Sequence, residues 1–479
     1  MKKVLAIDFG ASSGRAILGS FDGEKIDITE VHRFSNDPNY ENGELRWNAE
    51  KLFNEIKTGI KKASEISDFD SIAIDTWGVD YGIIDKEGKL AENPFNYRDS
   101  RTDNILEKAF EIIPEDEFYK LTGIQFMNFN TVFQLMCVED KSNIDKILLM
   151  PDLFNYMLTG EKFCESTNCS TTQMFDQKTR DWNWEVIDRM GYPRSIFPKV
   201  IPAGTVVGMM KPELAAELGI EPKEVIAIGS HDTASAVAAV PSTEKDFIFI
   251  SCGTWSLFGT VTDEPVISEK SKKYNITNEF GFGNKTRFLR NIIGLWLIQE
   301  TKRQYTRDGK NYSYADMEEL ALKAEPFKYF IDPDDPIFVA PGGMPERICD
   351  YCEKTGQGRP QTDGEVIRCI YESIALKYKK SMSMITDCTG KEYKAIHMVG
   401  GGTKDKLLCQ MTANSTGAKV VAGPIEATAL GNIAVQLYAK GIIDEITPVI
   451  MKSTEIKEYE PVDVDKWNEA YEKFVGIIE

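Results

Sequence analysis

Two stretches about half a chain length apart repeat one pattern, and that repeat constrains the fold more than any other feature. They are "VLAIDFGASSGRAILGSFDG", Val4 to Gly23, and "FIFISCGTWSLFGTVTDE", Phe247 to Glu264. Each reads as an apolar strand, a tight turn of Gly with small or hydroxyl residues, a second strand and a polar turn. The turns centre on Gly10 and Gly253. A duplicated hairpin at that separation predicts two similar α/β lobes. The turns "DFGASSG" and "SCGTWS" expose backbone amides and hydroxyls without bulk, the makings of nests for phosphate oxygens. A facing pair of such turns can grip a nucleoside triphosphate, with Asp8 left to hold Mg²⁺ through its water shell. Neither hairpin has the Walker spacing of Gly, four residues and Gly-Lys-Ser/Thr.

Composition fits two lobes. A chain of 479 residues that is 42% hydrophobic can bury two substantial cores. The net charge of −19, from 75 acidic against 56 basic residues, opposes a broad attraction to nucleic acid or to an anionic membrane. The nine cysteines are odd in number and scattered, which suits reduced thiols in a cytoplasmic protein. "CDYC", Cys349 to Cys352, has half a zinc spacing with no matching second pair, so these are expected to be surface or core thiols. "VLAIDFG" meets an Asp after four apolar residues, so no export signal is expected at the N-terminus, nor any membrane span.

Between the hairpins lies "VIAIGSHDTASAVAAV", Val225 to Val240. An apolar strand runs into Ser230, His231, Asp232 and Thr233, four consecutive side chains that exchange protons or hydrogen bonds. An Asp after a strand commonly caps the next helix. Against that, one of only three histidines sits beside it, at a strand end where open α/β sheets place ligands.

"IAIDTWGVDYGII" sets Asp75, Thr76, Trp77, Gly78 and Asp80 after another buried strand. Carboxylates and hydroxyls around an indole suit a polyol, which needs hydrogen-bond partners and an apolar face. A buried Trp with capping Asp residues explains the same pattern. "AIHMVGGGTKDKLLCQMTANSTG" reads as a strand, three glycines and a helix from about Lys404 to Ala413, a place where a flat ring can approach the backbone. "GPIEATALGNIAVQ" opens a helix of small residues suited to tight packing.

Strands are expected at 4 to 35 and 72 to 84, and helices at about 49 to 65, 102 to 121 and Glu365 to Ile385. Trp467, Tyr471, Phe474 and Ile478 mark a packed terminal helix. The lobes are drawn as residues 1–240 and 241–479.

The ordered set "DFGASSGR", "EVHRFSN" followed by "NGELRWN", "IDTWGVDYGIID", "YRDSR", "TGIQFMNFNT", "MPDLFNYMLTG", "SHDTASAV", "SCGTWSL", "NIIGLWLIQE", "MVGGG" and "AGPIEATALGN" resembles the FGGY family of carbohydrate kinases nearly end to end. Within it the chain is most similar to the branch that acts on L-rhamnulose. Ala11 stands where many relatives carry Thr, and Gln134 near where others place Lys. Both departures look like that branch and weaken glycerol or xylulose as acceptor.

The resemblance implies an actin-like ATPase (ribonuclease H-like) fold of two duplicated α/β lobes, with ATP and sugar meeting in the cleft. It implies Asp232 as the base that accepts a sugar hydroxyl proton, since such a hydroxyl is a poor nucleophile. It places His231, Asp232, Thr233, Asn291, Gly78 and Trp77 with the sugar. Ala11, Ser12, Ser13, Gly14, Arg15, Thr254, Gln299, Gly401 and Gly402 fall with ATP. Asn291 and Gln299 rest on the resemblance alone, since polar residues eight apart on an expected helix are common. Trp77, Phe126 and Phe129 are expected to line the apolar side of a deoxysugar. Expected partners are the sugar and ATP, with no nucleic acid or membrane, in a monomer or homodimer. A kinase for L-fuculose or a ketopentose is the alternative. A non-catalytic sugar sensor on the same fold fits less well, because the first hairpin starts at residue 4 and the charge is acidic.

Overall fold

The computed structural model describes residues 1–10 and 13–479. The chain forms two units. One holds Met1–Pro241, Val261–Phe288 and Ala427–Thr454, and the other Ser242–Thr260, Leu289–Glu426 and Glu455–Glu479.

The first unit is built on a six-stranded sheet in the order Thr205–Met209, Glu224–Ala227, Ser71–Asp75, Lys2–Phe9, Ser13–Phe21, Ile26–Ser35. The three middle strands run parallel and the flanking ones antiparallel. Leu5, Ala6, Ile7, Ile72, Ala73 and Ile74 are wholly buried, as expected of parallel strands covered on both faces. Helix Ala49–Ile66, capped by Asn48, brings Leu52, Ile56, Ile60 and Ala63 to this core. Helix Ala427–Ala439 also packs on the sheet. Its Ile433 fills the space over Gly19, and its Gln436 donates to the Leu5 carbonyl at 3.1 Å while accepting from the Ser71 hydroxyl at 2.7 Å. A second core of this unit gathers Phe118, Phe133, Ile147, Trp182 and Phe197.

In the second unit the hairpin Ile248–Cys252 and Trp255–Thr262 is followed in the sheet by Ala395–Val399, Lys419–Ala422 and Lys457–Tyr459. The pairings run antiparallel, parallel, parallel, antiparallel. The first unit has the same succession around Lys2–Phe9, so the duplication read from the two hairpins extends to the sheets they nucleate. The long helix spans Asp363–Thr389, opened by a reciprocal Thr362/Glu365 capping box and closed by Gly390 in the left-handed region. The terminal helix Val464–Ile478 packs Trp467 on Phe327 and Phe474 on Phe330.

Two expectations shift. The single helix over 102 to 121 is two, Ile105–Ile112 and Glu115–Thr122, separated at Pro114, whose missing N–H breaks the helical ladder. The helix after the glycines is Lys406–Thr416, capped by Asp405. All nine cysteines are free thiols, and Cys349 and Cys352 are buried on helix Met344–Lys354. Among the described residues no helix is long and apolar enough to cross a membrane.

Candidate active site

The parallel strands of the first unit deliver three carboxylates to one end of the sheet. Asp8 and Asp75 are register partners at the ends of Lys2–Phe9 and Ser71–Asp75. Beyond them Thr76 bridges His231, with the Thr76 amide donating to the Ser230 carbonyl at 2.9 Å and the Asp232 amide to the Thr76 carbonyl at 2.8 Å. Asp232 thereby follows the third strand, at the carboxyl end where open α/β sheets bind ligands.

The three carboxylates differ in environment. Asp8 is held by Arg15, Nη2 to Oδ2 2.5 Å, across the hairpin register that pairs them. Asp75 is wholly buried, accepts from Asn432 Nδ2 at 2.5 Å, and leaves Oδ1 without a hydrogen-bond partner among the described residues. Burial and then the charge of Asp8 push its carboxyl well above the usual range. Asp232 keeps 30% of its side-chain surface exposed. Burial raises it, and the charge of Asp8 adds to that. Asp232 is the first residue of helix Asp232–Ala238, and the cap position falls on His231, which makes no side-chain capping bond. The plain capping explanation of the Asp is therefore not what the local geometry shows.

Thr233 donates its hydroxyl to Asp232 Oδ1 at 3.0 Å, and His231 Nε2 lies 3.4 Å from the same oxygen. Gly78 faces Thr171 so closely that a Cβ would come within 2.8 Å of its hydroxyl oxygen, and the next amide, Val79, donates to that hydroxyl at 3.0 Å. The loop after Asp75 is thus locked by a residue far along the chain.

Trp77 and Asp80 are tied into the surrounding core. Asp80 Oδ2 accepts from Trp47 Nε1 at 2.7 Å, Trp77 Nε1 at 2.9 Å and the Tyr97 amide at 3.1 Å, and Oδ1 accepts from Gln134 Nε2 at 2.9 Å. The carboxylate is occupied holding two indoles whose centroids lie 4.2 Å apart. Gln134, singled out as a departure from other relatives, is one of those four donors. Trp77 belongs to the core cluster with Phe9 and Trp47. Phe126 packs on Phe110, Phe118 and Tyr119, and Phe129 on Tyr97.

Of the residues assigned to ATP, Ala11 and Ser12 lie outside the described residues. Ser13, Gly14 and Arg15 open the strand Ser13–Phe21, with the ring of Phe34 against Gly14. In the second unit Thr254 sits in the hairpin turn and donates its hydroxyl to Gln299 Oε1 at 3.3 Å. Gln299 lies on helix Trp296–Arg307, but Asn291 does not share it: Asn291 is on strand Thr286–Ile293. The expected common helix was wrong because strand Thr286–Ile293 ends before helix Trp296–Arg307 begins, which leaves the two residues on different elements. Gly401 and Gly402 form a single turn, Gly401–Lys404, after strand Ala395–Val399, and a Cβ on Gly402 would lie 2.8 Å from that of Cys252.

The sequence matches the model of the N-terminal domain of the FGGY family of carbohydrate kinases over residues 3–239, and that of the C-terminal domain over residues 248–440. The chain belongs to the FGGY family of carbohydrate kinases. It is 40% identical over 472 residues to a rhamnulokinase of Halalkalibacterium halodurans, covering 97% of this chain and 100% of that one. It is 38% identical to a rhamnulokinase of Bacteroides thetaiotaomicron, covering 99% of each. Among solved structures a ligand-bound xylulose kinase from Lactobacillus acidophilus superposes with a TM-score of 0.84 at 17% identity, covering 100% of this chain and 98% of that one. A gluconate kinase from the same organism gives 0.83 at 18% identity, covering 99% and 97%. At these identities the two structures establish the shared two-domain α/β fold.

Sequence reading missed three partners of this site: Asn432, Glu279 and Arg287. Glu279 and Arg287 pair at 3.1 Å beside His231. Nothing local to "TNEF" or "KTRF" marks them. Both strands, Thr277–Phe280 and Thr286–Ile293, mix polar and apolar residues, so the charges do not stand out in the sequence.

Proposed function

We propose that the protein transfers the γ-phosphoryl group of ATP to O1 of L-rhamnulose, giving L-rhamnulose 1-phosphate and ADP, in L-rhamnose catabolism. The observation that carries this reading is the identity of 36–40% to seven rhamnulokinases, each over at least 96% of this chain. Asp232 accepts the O1 proton as the oxygen attacks phosphorus. Its supports are its place at the strand end, its partial exposure and the raised basicity that burial confers. His231 and Thr233 flank it and orient the sugar, with Asn291 as a further sugar contact and Gly78 fixing the loop opposite. Ser13, Gly14, Arg15, Thr254, Gln299, Gly401 and Gly402 are assigned to ATP, with Ala11 and Ser12.

Among the described residues no group of three His, Cys, Asp or Glu side chains converges as a metal cage. Mg²⁺ fits here in another way, because it keeps most of its waters and is held by one or two carboxylates with substrate phosphates. Asp8, with Asp75 and its orphaned oxygen behind it, supplies that oxygen donor set. Mg²⁺ bound with ATP would neutralise phosphate charge.

A coupled ADP-release assay over L-rhamnulose, L-fuculose and ketopentoses tests the substrate, and a higher kcat/KM for L-fuculose or a ketopentose would replace it. Asp232→Asn tests the base. It keeps the shape but loses the proton acceptor, so kcat is expected to fall about 10²- to 10⁴-fold with sugar binding retained. Near-normal turnover would remove Asp232 from the role.

A further inference from the structure

The buried ion pair behind His231 has a use in the chemistry of its neighbour. Arg287 is 1% exposed and Glu279 5%, so neither charge is solvated, and each must be compensated within the unit. Arg287 uses its donors in a fixed pattern. Nε and Nη2 donate to the Phe280 carbonyl at 3.2 and 3.1 Å, Nη1 lies 3.1 Å from Glu279 Oε2, and Nη2 lies 3.1 Å from His231 Nδ1 in hydrogen-bond geometry. Glu279 Oε2 lies 3.3 Å from the same Nδ1 and 3.1 Å from Arg287 Nη1, so its nearer neighbour is the guanidinium. Its charge serves the guanidinium.

A guanidinium carries only donors and keeps its proton in proteins. The imidazole atom facing Arg287 must therefore present a lone pair. In a neutral imidazole a lone pair on Nδ1 puts the proton on Nε2, and Nε2 is the atom beside Asp232 Oδ1.

We propose that Arg287 is a positioning residue that fixes His231 as the Nε2–H tautomer, so that the imidazole presents a hydrogen-bond donor beside Asp232, with Glu279 serving to neutralise Arg287. The inference rests on the kinase reading of this site only for its consequence: an acceptor oxygen of the sugar, next to the hydroxyl whose proton Asp232 takes, is gripped by Nε2–H. The donor holds the reacting hydroxyl in line with the base. The backbone is anchored separately: the His231 amide donates to the Thr167 hydroxyl oxygen at 3.3 Å, and the His231 carbonyl accepts from the Ala234 amide at 2.7 Å and the Ser235 amide at 3.2 Å.

The test is a nitrogen NMR spectrum of the imidazole rings in the substrate-free protein. With three histidines in the chain, His231 is assigned by the signal that disappears in His231→Asn. The expected spectrum has an unprotonated Nδ1 and a protonated Nε2. An Nδ1–H tautomer or an imidazolium near neutral pH overturns the proposal, and if His231→Asn does not fold, the signal is assigned by removing the other two histidines, His32 and His397, instead. The paired variant Arg287→Met with Glu279→Gln removes both charges together, so no unpaired charge is left buried. It is expected to lose the fixed tautomer and to lower kcat/KM for the sugar by about 10-fold or more, with KM for ATP changed less than about twofold. An unchanged His231 spectrum in that variant also overturns the proposal. The spectrum uses no sugar or ATP, so a failure of the proposed substrate leaves it standing, and its failure leaves the substrate standing.

Discussion

Replacing Gly431 by Ala adds one methyl group where two helices touch, and the structure sets its cost. A Cβ built on Gly431 lies 2.6 Å from the carbonyl carbon and 3.2 Å from Cα of Ser235, with the carbonyl oxygen nearer still. Ordinary contact begins at 3.4 Å, and the obstacle is backbone, which has no rotamer by which to yield. Helices Ala427–Ala439 and Asp232–Ala238 must then separate by about 1 Å, an overpacking that costs about 1–3 kcal/mol. The displacement reaches the proposed chemistry from both sides. Ser235 lies within the first turn after Asp232 on its helix, and Asn432, next to Gly431, holds Asp75. A misplacement of about 1 Å costs about 10²-fold in rate. Urea unfolding of Gly431→Ala is expected to show a lower midpoint with an unchanged slope, and steady-state kinetics a kcat lowered about 10²-fold. Gly476→Ala is the control, since it lies on helix Val464–Ile478 with nothing within 4 Å of its Cβ. It is expected to be neutral or to stabilise by up to about 0.5 kcal/mol. Wild-type midpoint and kcat in Gly431→Ala would refute the claim that this approach sets the position of Asp232.

Two further outcomes follow from groups the site packs against. Burial raises Asp80 from 3.8 to about 6 against the pull of its donors, and because the folded value is the higher one, its contribution to stability is fully present below about pH 3.8 and lost as pH rises through about 6. The rise of about 2 units is worth about 3 kcal/mol, so the stability of the wild type relative to Asp80→Asn is expected to fall by about that much between pH 4 and 7 in urea titrations; a constant difference would refute it. Phe126→Ala is expected to cost about 2 kcal/mol and to lower kcat/KM for L-rhamnulose and L-fructose equally, because the ring packs on Phe110, Phe118 and Tyr119; a narrowed gap between the two sugars would return it to the sugar wall.

The features legible in the sequence are those whose meaning is settled within a few residues. The two hairpins could be read because apolar alternation and a small-residue turn suffice to make each one, and the strand and helix around Asp232 followed from "VIAIG" and the alanines after it. Asp80 was legible as a polar residue at a strand end but not in its role. Its orientation is decided by Trp47, a residue on the far side of helix Ala49–Ile66 in sequence, and by Gln134. The helix "ATALGNIAVQ" was legible as one that packs closely, but a stripe of small residues does not say against what. Its partner is the helix that begins at Asp232, and its Asn432 meets a carboxylate from a third segment.

Arg287 shows why such partners stay hidden and how they could be sought. In "KTRFLRNII" the structure buries Arg287 almost completely, whereas Arg290, on the same strand, keeps some exposure. The sequence shows two arginines in one strand of mixed polarity and cannot say which is inside. A buried arginine is tolerated only where an anion and acceptors await it, so the burial of Arg287 requires a carboxylate beside it. Glu279, in the neighbouring "TNEF", answers that requirement. Satisfying the pair does not, however, explain why two charges are buried where two apolar side chains would pack at less cost. A lone pair on His231 that must be held by an obligate donor does, because a hydrophobic replacement of both residues could not meet that need.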